Sequence, residues 1–326
     1  MKAVIITENK DLKWLDVPNP VPGDGEVLVK VQATAVNRAD LMQRAGNYPP
    51  PSGCPDWPGL EISGYICEMS NSAKVNSQWK IGDKVCALLG GGGYAEYAAV
   101  HHSMLMPIPQ GISMIEAAAL PEAFATAYLN IFMEGNGKAG DTLLMHAGAS
   151  GLASVIIPMA KAFGLRVITS VLSEEIAAKI THLKADLIID TSTQDVSEVL
   201  KQEETMGRPV NIAIDCLGGK KTGECFNYVS YGCRWIMIAT LAGELTNVNL
   251  RTVYMKNIRL IGSTLRSKPQ HIKAQILKNL VSDVWKKVES GEVRPTIYKT
   301  LPIIEAEAAH MLLECGESVG KVVLEL

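Results

Sequence analysis

Asp141–Ser170 reads DTLLMHAGASGLASVIIPMAKAFGLRVITS. Thr142 to His146 is a short apolar run, too short for a helix, and reads as a buried strand. Ala147 to Gly151 follows, built only of Ala, Gly and Ser. Leu152, Val155, Ile156, Met159 and Phe163 then share one helical face. Gly164 stands where a helix stop belongs, and Leu165 to Ser170 is a second strand. Strand, small-residue turn, helix and strand make one βαβ unit. Such a turn lets a ligand approach the backbone and leaves the first N–H groups of the helix open, which suits a phosphate. The spacing Gly148-x-x-Gly151-x-Ala153 departs from the strict G-x-G-x-x-G, so the pattern alone does not separate nucleotide binding from tight packing.

Working outward, the alternation continues. Strands are expected at 142–146, 166–170, 187–190, 211–215, 233–238 and 258–262. Helices are expected near 151–163, 174–183, 194–204 and 220–230. Uncharged strands covered by helices predict a parallel sheet buried on both faces, doubly wound, with its ligand at the switch point. Before this block, residues 1 to about 120 look β-rich, with strands at Val4–Ile6, Leu12–Val17, Val27–Ala35, Ile62–Met69, Lys84–Ala87 and Tyr94–Val100. Asn37–Ala45 reads as a short helix, and Ser113 with Glu116 as a capping box. The five prolines between Tyr48 and Gly59 make a stiff loop, and the four glycines Gly90–Gly93 a tight or flexible one. A helix at Pro269–Ser290 and strands near Ile297–Leu301 and Val322–Leu326 look like a return to the first domain.

Length and composition set bounds. At 326 residues two domains are expected, and 47% hydrophobic with 20% charged residues is ordinary for a soluble chain. A net charge of -3 gives no general pull toward nucleic acid or anionic lipid. Lys161 and Arg166 interrupt the longest apolar run, and the start, MKAVII, carries no export signature, so a cytoplasmic location is expected. Seven cysteines without a C-x-x-C pair argue against a disulfide framework or clustered zinc.

These residues carry a resemblance to the medium-chain dehydrogenase/reductase superfamily, and within it to the zinc-free quinone oxidoreductase branch with its zeta-crystallin-like enzymes. The matching segments are Ala35–Asp40, Gly59–Gly64, Trp79–Val85, Gly92–Tyr97, Ala117–Pro121, Ala147–Gly151, Gly262–Arg266 and Gly320–Leu324, in the family's order across nearly the whole chain. The resemblance implies an α/β chain: a GroES-like β-rich substrate domain, 1–122 and 264–326, and a Rossmann domain, 123–263, binding NADP(H) in the cleft. It also implies a homodimer paired through the strand near Ile258–Gly262. Zinc-dependent relatives carry Cys where this chain has Asn37, and His where it has Leu60. Neither can supply the thiolate or imidazole, so no metal is expected.

The expected activity is NADPH-dependent reduction of quinones or related conjugated carbonyls by hydride transfer. The alternatives are an enoyl-thioester or 2-alkenal reductase on the same fold, and a non-catalytic, crystallin-like nucleotide-binding protein. Catalytic candidates from the resemblance are Tyr48, Asn37, Asp40 and Tyr94. A phenol protonated at neutral pH suits Tyr48 to act as a proton donor, against a loop aromatic stacked on prolines. Asn37 is expected near the nicotinamide ribose or carboxamide or as the cap of the short helix, Asp40 to orient Asn37 or the acceptor or to sit on the helix surface, and Tyr94 to line the acceptor pocket or fill a core. Cofactor candidates are Asn37, Thr126, Gly148, Ala149, Ser150, Gly151, Leu152, Ser170, Ser173, Leu217, Ile238, Ala239, Ser263 and Leu265. Arg266 is left between a phosphate or acceptor contact and a surface salt bridge. No acid ends the second strand, which favours NADP, but Ile176 and Thr191 stand where NADP-binding relatives usually carry Lys and Tyr. Lys179 is a candidate substitute for that cation.

Overall fold

The computed structural model describes residues 1–316 and 318–326. In chain order the strands and helices are β1 (Lys2–Ile6), β2 (Leu12–Asp16), β3 (Glu26–Ala35), α1 (Arg38–Ala45), β4 (Glu61–Met69), α2 (Asn71–Asn76), β5 (Lys84–Leu88), β6 (Tyr97–His101), β7 (Leu105–Pro107), α3 (Met114–Ala118), α4 (Pro121–Tyr128), β8 (Thr142–Met145), α5 (Ala153–Ala162), β9 (Arg166–Val171), α6 (Glu174–Lys179), β10 (Leu187–Asp190), α7 (Val196–Thr205), β11 (Val210–Asp215), α8 (Lys220–Cys225), β12 (Val229–Met237), α9 (Leu250–Met255), β13 (Arg259–Gly262), α10 (Gln270–Glu289), β14 (Ile297–Pro302), α11 (Ala306–Glu314) and β15 (Lys321–Glu325). They form two compact units, one of 1–125, 266–291 and 295–326, the other of 126–265 and 292–294.

The second unit holds a six-stranded sheet in the order β10-β9-β8-β11-β12-β13, all pairs parallel. The order reverses direction between β8 and β11, which is the switch point of a doubly wound sheet. Its core is Leu144, Ile168, Ile189, Ala213, Phe226 and Trp235 with their neighbours, drawn from every strand but the edge β13. That burial on both faces is why the strands are mostly apolar in their middles, with charges such as Arg166, Asp190 and Asp215 at their ends. Gly164 takes φ +79° after α5, as its position as helix stop requires.

The first unit is built on a seven-stranded sheet, β14-β15-β3-β4-β5-β7 with β6 also on β3, antiparallel except for the β14–β15 pair. Ser113 and Glu116 form the reciprocal capping box at the start of α3. Pro121 begins α4, where a missing N–H costs nothing, and the chain continues as a π-helical turn at Leu129–Glu134. Helices α2, α9 and α11 were not expected from the sequence. The first two are only six residues each, and α11 sits between two expected strands. The strand expected from Tyr94 begins instead at Tyr97, because Tyr94 is drawn into the core. Among the described residues no helix is long and apolar enough to cross a membrane.

Candidate active site

In the second unit the expected cofactor residues gather along one edge of the sheet. Ala147–Leu152 follows β8, Ser170 and Ser173 end or follow β9, Leu217 follows β11, Ile238 and Ala239 follow β12, and Ser263 and Leu265 follow β13. These are the carboxyl ends of parallel strands, where open α/β sheets bind their ligands. β8 exits through a left-handed step at Ala147, φ +54°, a conformation uncommon outside glycine. A Cβ on Gly148 would lie 2.5 Å from Thr169 Oγ1, so only glycine fits against β9. Ser150 Oγ accepts the N–H of Ala153 at 3.1 Å and caps α5. The N–H groups of Ala149, Gly151 and Leu152 have no bonding partner among the described residues. Three open donors at the start of a ten-residue helix fit a diphosphate. Ser263 adds a buried hydroxyl that no described group satisfies.

Two candidates at the adenosine end are engaged elsewhere. Ser170 is 2% exposed and its hydroxyl lies 2.8 Å from His146 Nδ1, inside the sheet. Ser173 caps α6 by accepting the N–H of Ile176. Lys179 is paired with Glu175 at 2.7 Å. Thr126, on α4, contributes its carbonyl to Asn130 Nδ2. His146 is a packed residue, its pKa lowered by burial and only partly restored by Asp215.

In the first unit Asn37, Asp40 and Tyr94 come together, joined by residues not singled out from the sequence. Lys321 is 3% exposed and spends all three N–H groups, on Glu61 Oε1 at 2.7 Å, Asn37 Oδ1 at 2.6 Å and Val36 O at 3.2 Å. Glu61 is fully buried; its Oε1 also accepts from Asn37 Nδ2 and its Oε2 from the Glu122 N–H at 2.8 Å. Asn37 stands at the N-cap just before α1, in a capping box with Asp40, and its amide also faces Lys321 and Glu61. Asp40 supplies the reciprocal half, its carboxylate accepting the Asn37 N–H at 2.8 Å.

Asp40 is buried, not on the helix surface, and also accepts from Gly59 N at 2.9 Å and Tyr94 Oη at 3.3 Å. Gly59 can reach it because Gly59 and Gly93 touch backbone to backbone; a Cβ on Gly59 would meet Gly93 Cα at 2.5 Å. Burial pushes the Asp40 carboxyl up to about 6, against its two N–H bonds and the Lys321 charge. Tyr94 is fully buried, its hydroxyl shared between Asp40 and His310 Nε2 at 3.3 Å. It therefore packs the core and does not line an open pocket; burial raises its phenol well above the ordinary range. Burial lowers His310 to about 4. Partly exposed Glu122 is pushed up to about 8 by burial and by the Glu61 charge. Glu61 and Lys321 escaped the sequence reading although both lie in the matched segments, because neither type at its position announces a buried ion pair.

Tyr48 is half-buried, its pKa raised by burial and lowered by Arg266. Arg266 is not a surface salt bridge: it is 6% exposed and stacks on the Tyr48 ring at 5.0 Å. Among the described residues no group of three or more His, Cys, Asp or Glu is arranged to hold a metal ion.

The chain matches the alcohol dehydrogenase GroES-like domain over residues 23–110 and the zinc-binding dehydrogenase domain over 183–324. A quinone oxidoreductase-like protein 2 homolog of Nematostella vectensis is 29% identical over 93% of this chain and 82% of its own. The quinone oxidoreductase of Mus musculus is 27% identical over 95% and 92%. The quinone oxidoreductase of Thermus thermophilus, solved also in complex with NADPH, superposes with a TM-score of 0.83 at 28% identity, covering both chains completely. A GroES-like β-rich unit with a doubly wound nucleotide unit, in this company, defines an enzyme of the quinone oxidoreductase-like kind. The chain carries both of these dehydrogenase domains and is similar along nearly its whole length to quinone oxidoreductases.

Proposed function

We propose that the protein reduces quinones or related conjugated carbonyls with NADPH, by hydride transfer and without zinc. The observation that carries this reading is the turn after β8, with three open N–H donors at the start of α5 and glycine enforced at 148. Ala149, Gly151 and Leu152 would grip the diphosphate, and Leu217, Ile238, Ala239, Ser263 and Leu265 would wall the coenzyme. When bound, the nicotinamide supplies the hydride; the protein supplies position and exclusion of water. The absence of an acid at the end of β9 and the NADPH complex of the Thermus relative support NADPH over NADH. Zinc independence is supported by Lys321, whose ammonium lies between Asn37 and Glu61, beside the positions where zinc relatives carry ligands. A fixed positive charge there repels a divalent cation.

Tyr48 is the group proposed to protonate the reduced acceptor. A homodimer through β13, the open edge of the sheet with Leu260 58% exposed, completes the reading. The test is one screen of quinones, enones and enoyl thioesters with NADPH and NADH, together with elemental analysis of the purified protein. Faster initial rates with NADPH on quinones and no stoichiometric metal are expected; bound zinc or a clear NADH preference would refute the corresponding part.

A second reading, reduction of enoyl thioesters or alkenals, draws on the half-buried phenol beside a guanidinium, since saturating an enone requires a proton at carbon. Tyr48→Phe separates the two: heavy loss on enones with little loss on quinones supports this second reading.

A further inference from the structure

Arg266 is a buried cation whose described bonding partners include no carboxylate. Its Nε donates to Gly90 O at 2.8 Å, one terminal nitrogen to Tyr48 O at 3.3 Å, and the other to Gln43 Oε1 at 2.7 Å. Its guanidinium carbon lies 5.0 Å from the centroid of the Tyr48 ring, within cation–π range. Lys273 on α10 donates to the Arg266 carbonyl at 2.8 Å. One side chain therefore ties α1, the Tyr48 loop and the glycine run together. Burying a guanidinium among neutral acceptors is costly, and three of its five N–H groups account for all its bonds to described residues.

We propose that Arg266 is the positioning residue that makes Tyr48 a usable acid, fixing the ring by its stacked cation and holding the phenolate left after proton transfer. This rests on the acceptor reduction proposed above. There the acceptor gains a hydride and becomes an anion. The Tyr48 O–H bond breaks, its proton bonds to the acceptor, and the electron pair stays on the phenolate oxygen until water returns a proton. The groups facing Tyr48 oppose one another: burial raises its pKa, Arg266 lowers it, and Glu122 on α4 raises it. Around Arg266 stand Lys273 and the half-buried Cys54, whose thiol burial raises while Lys273 and Arg266 lower it. The cation that counters burial at Tyr48 is thus the one that also fixes its loop.

The test follows the Tyr48 phenol by NMR of ring-labelled tyrosine in wild type, Arg266→Lys and Arg266→Met, the signal being assigned by its loss in Tyr48→Phe. In Arg266→Met the Tyr48 titration is expected about one unit higher than in wild type, with Arg266→Lys between them. With an active acceptor, kcat of Arg266→Met falls by about tenfold or more with little change in KM, and the fall vanishes in the Tyr48→Phe background. An unmoved titration, or an equal fall in that background, overturns the proposal. If wild type reduces no acceptor, the functional reading fails, and the titration still decides the role of Arg266. Should Arg266→Met not fold, Arg266→Lys decides it, since an unshifted phenol in that variant counts against the stacked fork.

Discussion

The small-residue turn of the second unit and the buried polar cluster of the first are built by opposite means. The turn is local: Ala147 to Ala153 supplies its own backbone donors, its own cap in Ser150 and its own close-packed glycine. The cluster is assembled from afar, Lys321 and Asn37 being 284 positions apart in the chain. In the turn the chemistry lies in main-chain N–H groups, so small side chains are what matter. In the cluster it lies in side-chain charges removed from water, so each partner matters to the others. A local device tolerates change around it, whereas a buried ion pair fails when one member goes.

Lys321→Met tests that contrast most severely. It leaves the Glu61 carboxylate buried without its cation and should cost about 3–5 kcal/mol in denaturant unfolding. A loss no larger than that of an exposed pair would mean the cluster is not held by charge. Next is Gly148→Val, which drives a side chain into Thr169 and Ile180 and should cost about 1–3 kcal/mol while abolishing NADPH binding measured by fluorescence. Intact binding in a folded variant would remove the turn from the site.

Glu122→Gln gives a pH-dependent difference. A carboxyl raised to about 8 keeps its proton in the fold after the unfolded chain, near the ordinary value of 4.5, has lost it. Its contribution to stability is therefore complete at low pH and lost as pH climbs through about 8. Relative to wild type the Gln variant should gain on the order of 1–2 kcal/mol between pH 5 and pH 9, read from urea midpoints. A parallel pair of pH curves would show that Glu122 ionises freely. Smallest is Ser150→Ala, expected to cost about 1 kcal/mol through loss of the α5 cap, with NADPH affinity reduced only slightly. A large affinity loss would instead make the hydroxyl itself a ligand.

The six parallel strands and their order of helices were legible because the strands are short, mostly apolar runs separated by helix-length segments with turn residues between them. The helix of Asn37–Ala45 and the capping box of Ser113 and Glu116 were legible for the same local reason. The roles of Asn37, Asp40 and Tyr94 were not. Asn37 reads as a cap or a ligand; it does stand at the N-cap of α1, but the sequence does not announce that its amide is shared with Lys321 and Glu61. Tyr94 suits a pocket wall or a core from sequence alone, and the structure takes the core alternative, burying it between Asp40 and His310. Arg266 was read as reaching a ligand or lying on the surface, and it is folded inward onto Tyr48.

The sequence by itself determined the βαβ frame, the small-residue turn after His146 and the lack of thiolate and imidazole at positions 37 and 60, because periodicity, residue size and donor type are properties of neighbouring residues. Only the tertiary structure decided that Lys321 closes on Glu61, that Asp40 is held near a pKa of about 6, and that Tyr48 is backed by a cation. Those outcomes depend on which distant groups are taken from water together, and the strength of a charge in a protein is set by that shared burial and not by the order of residues along the chain.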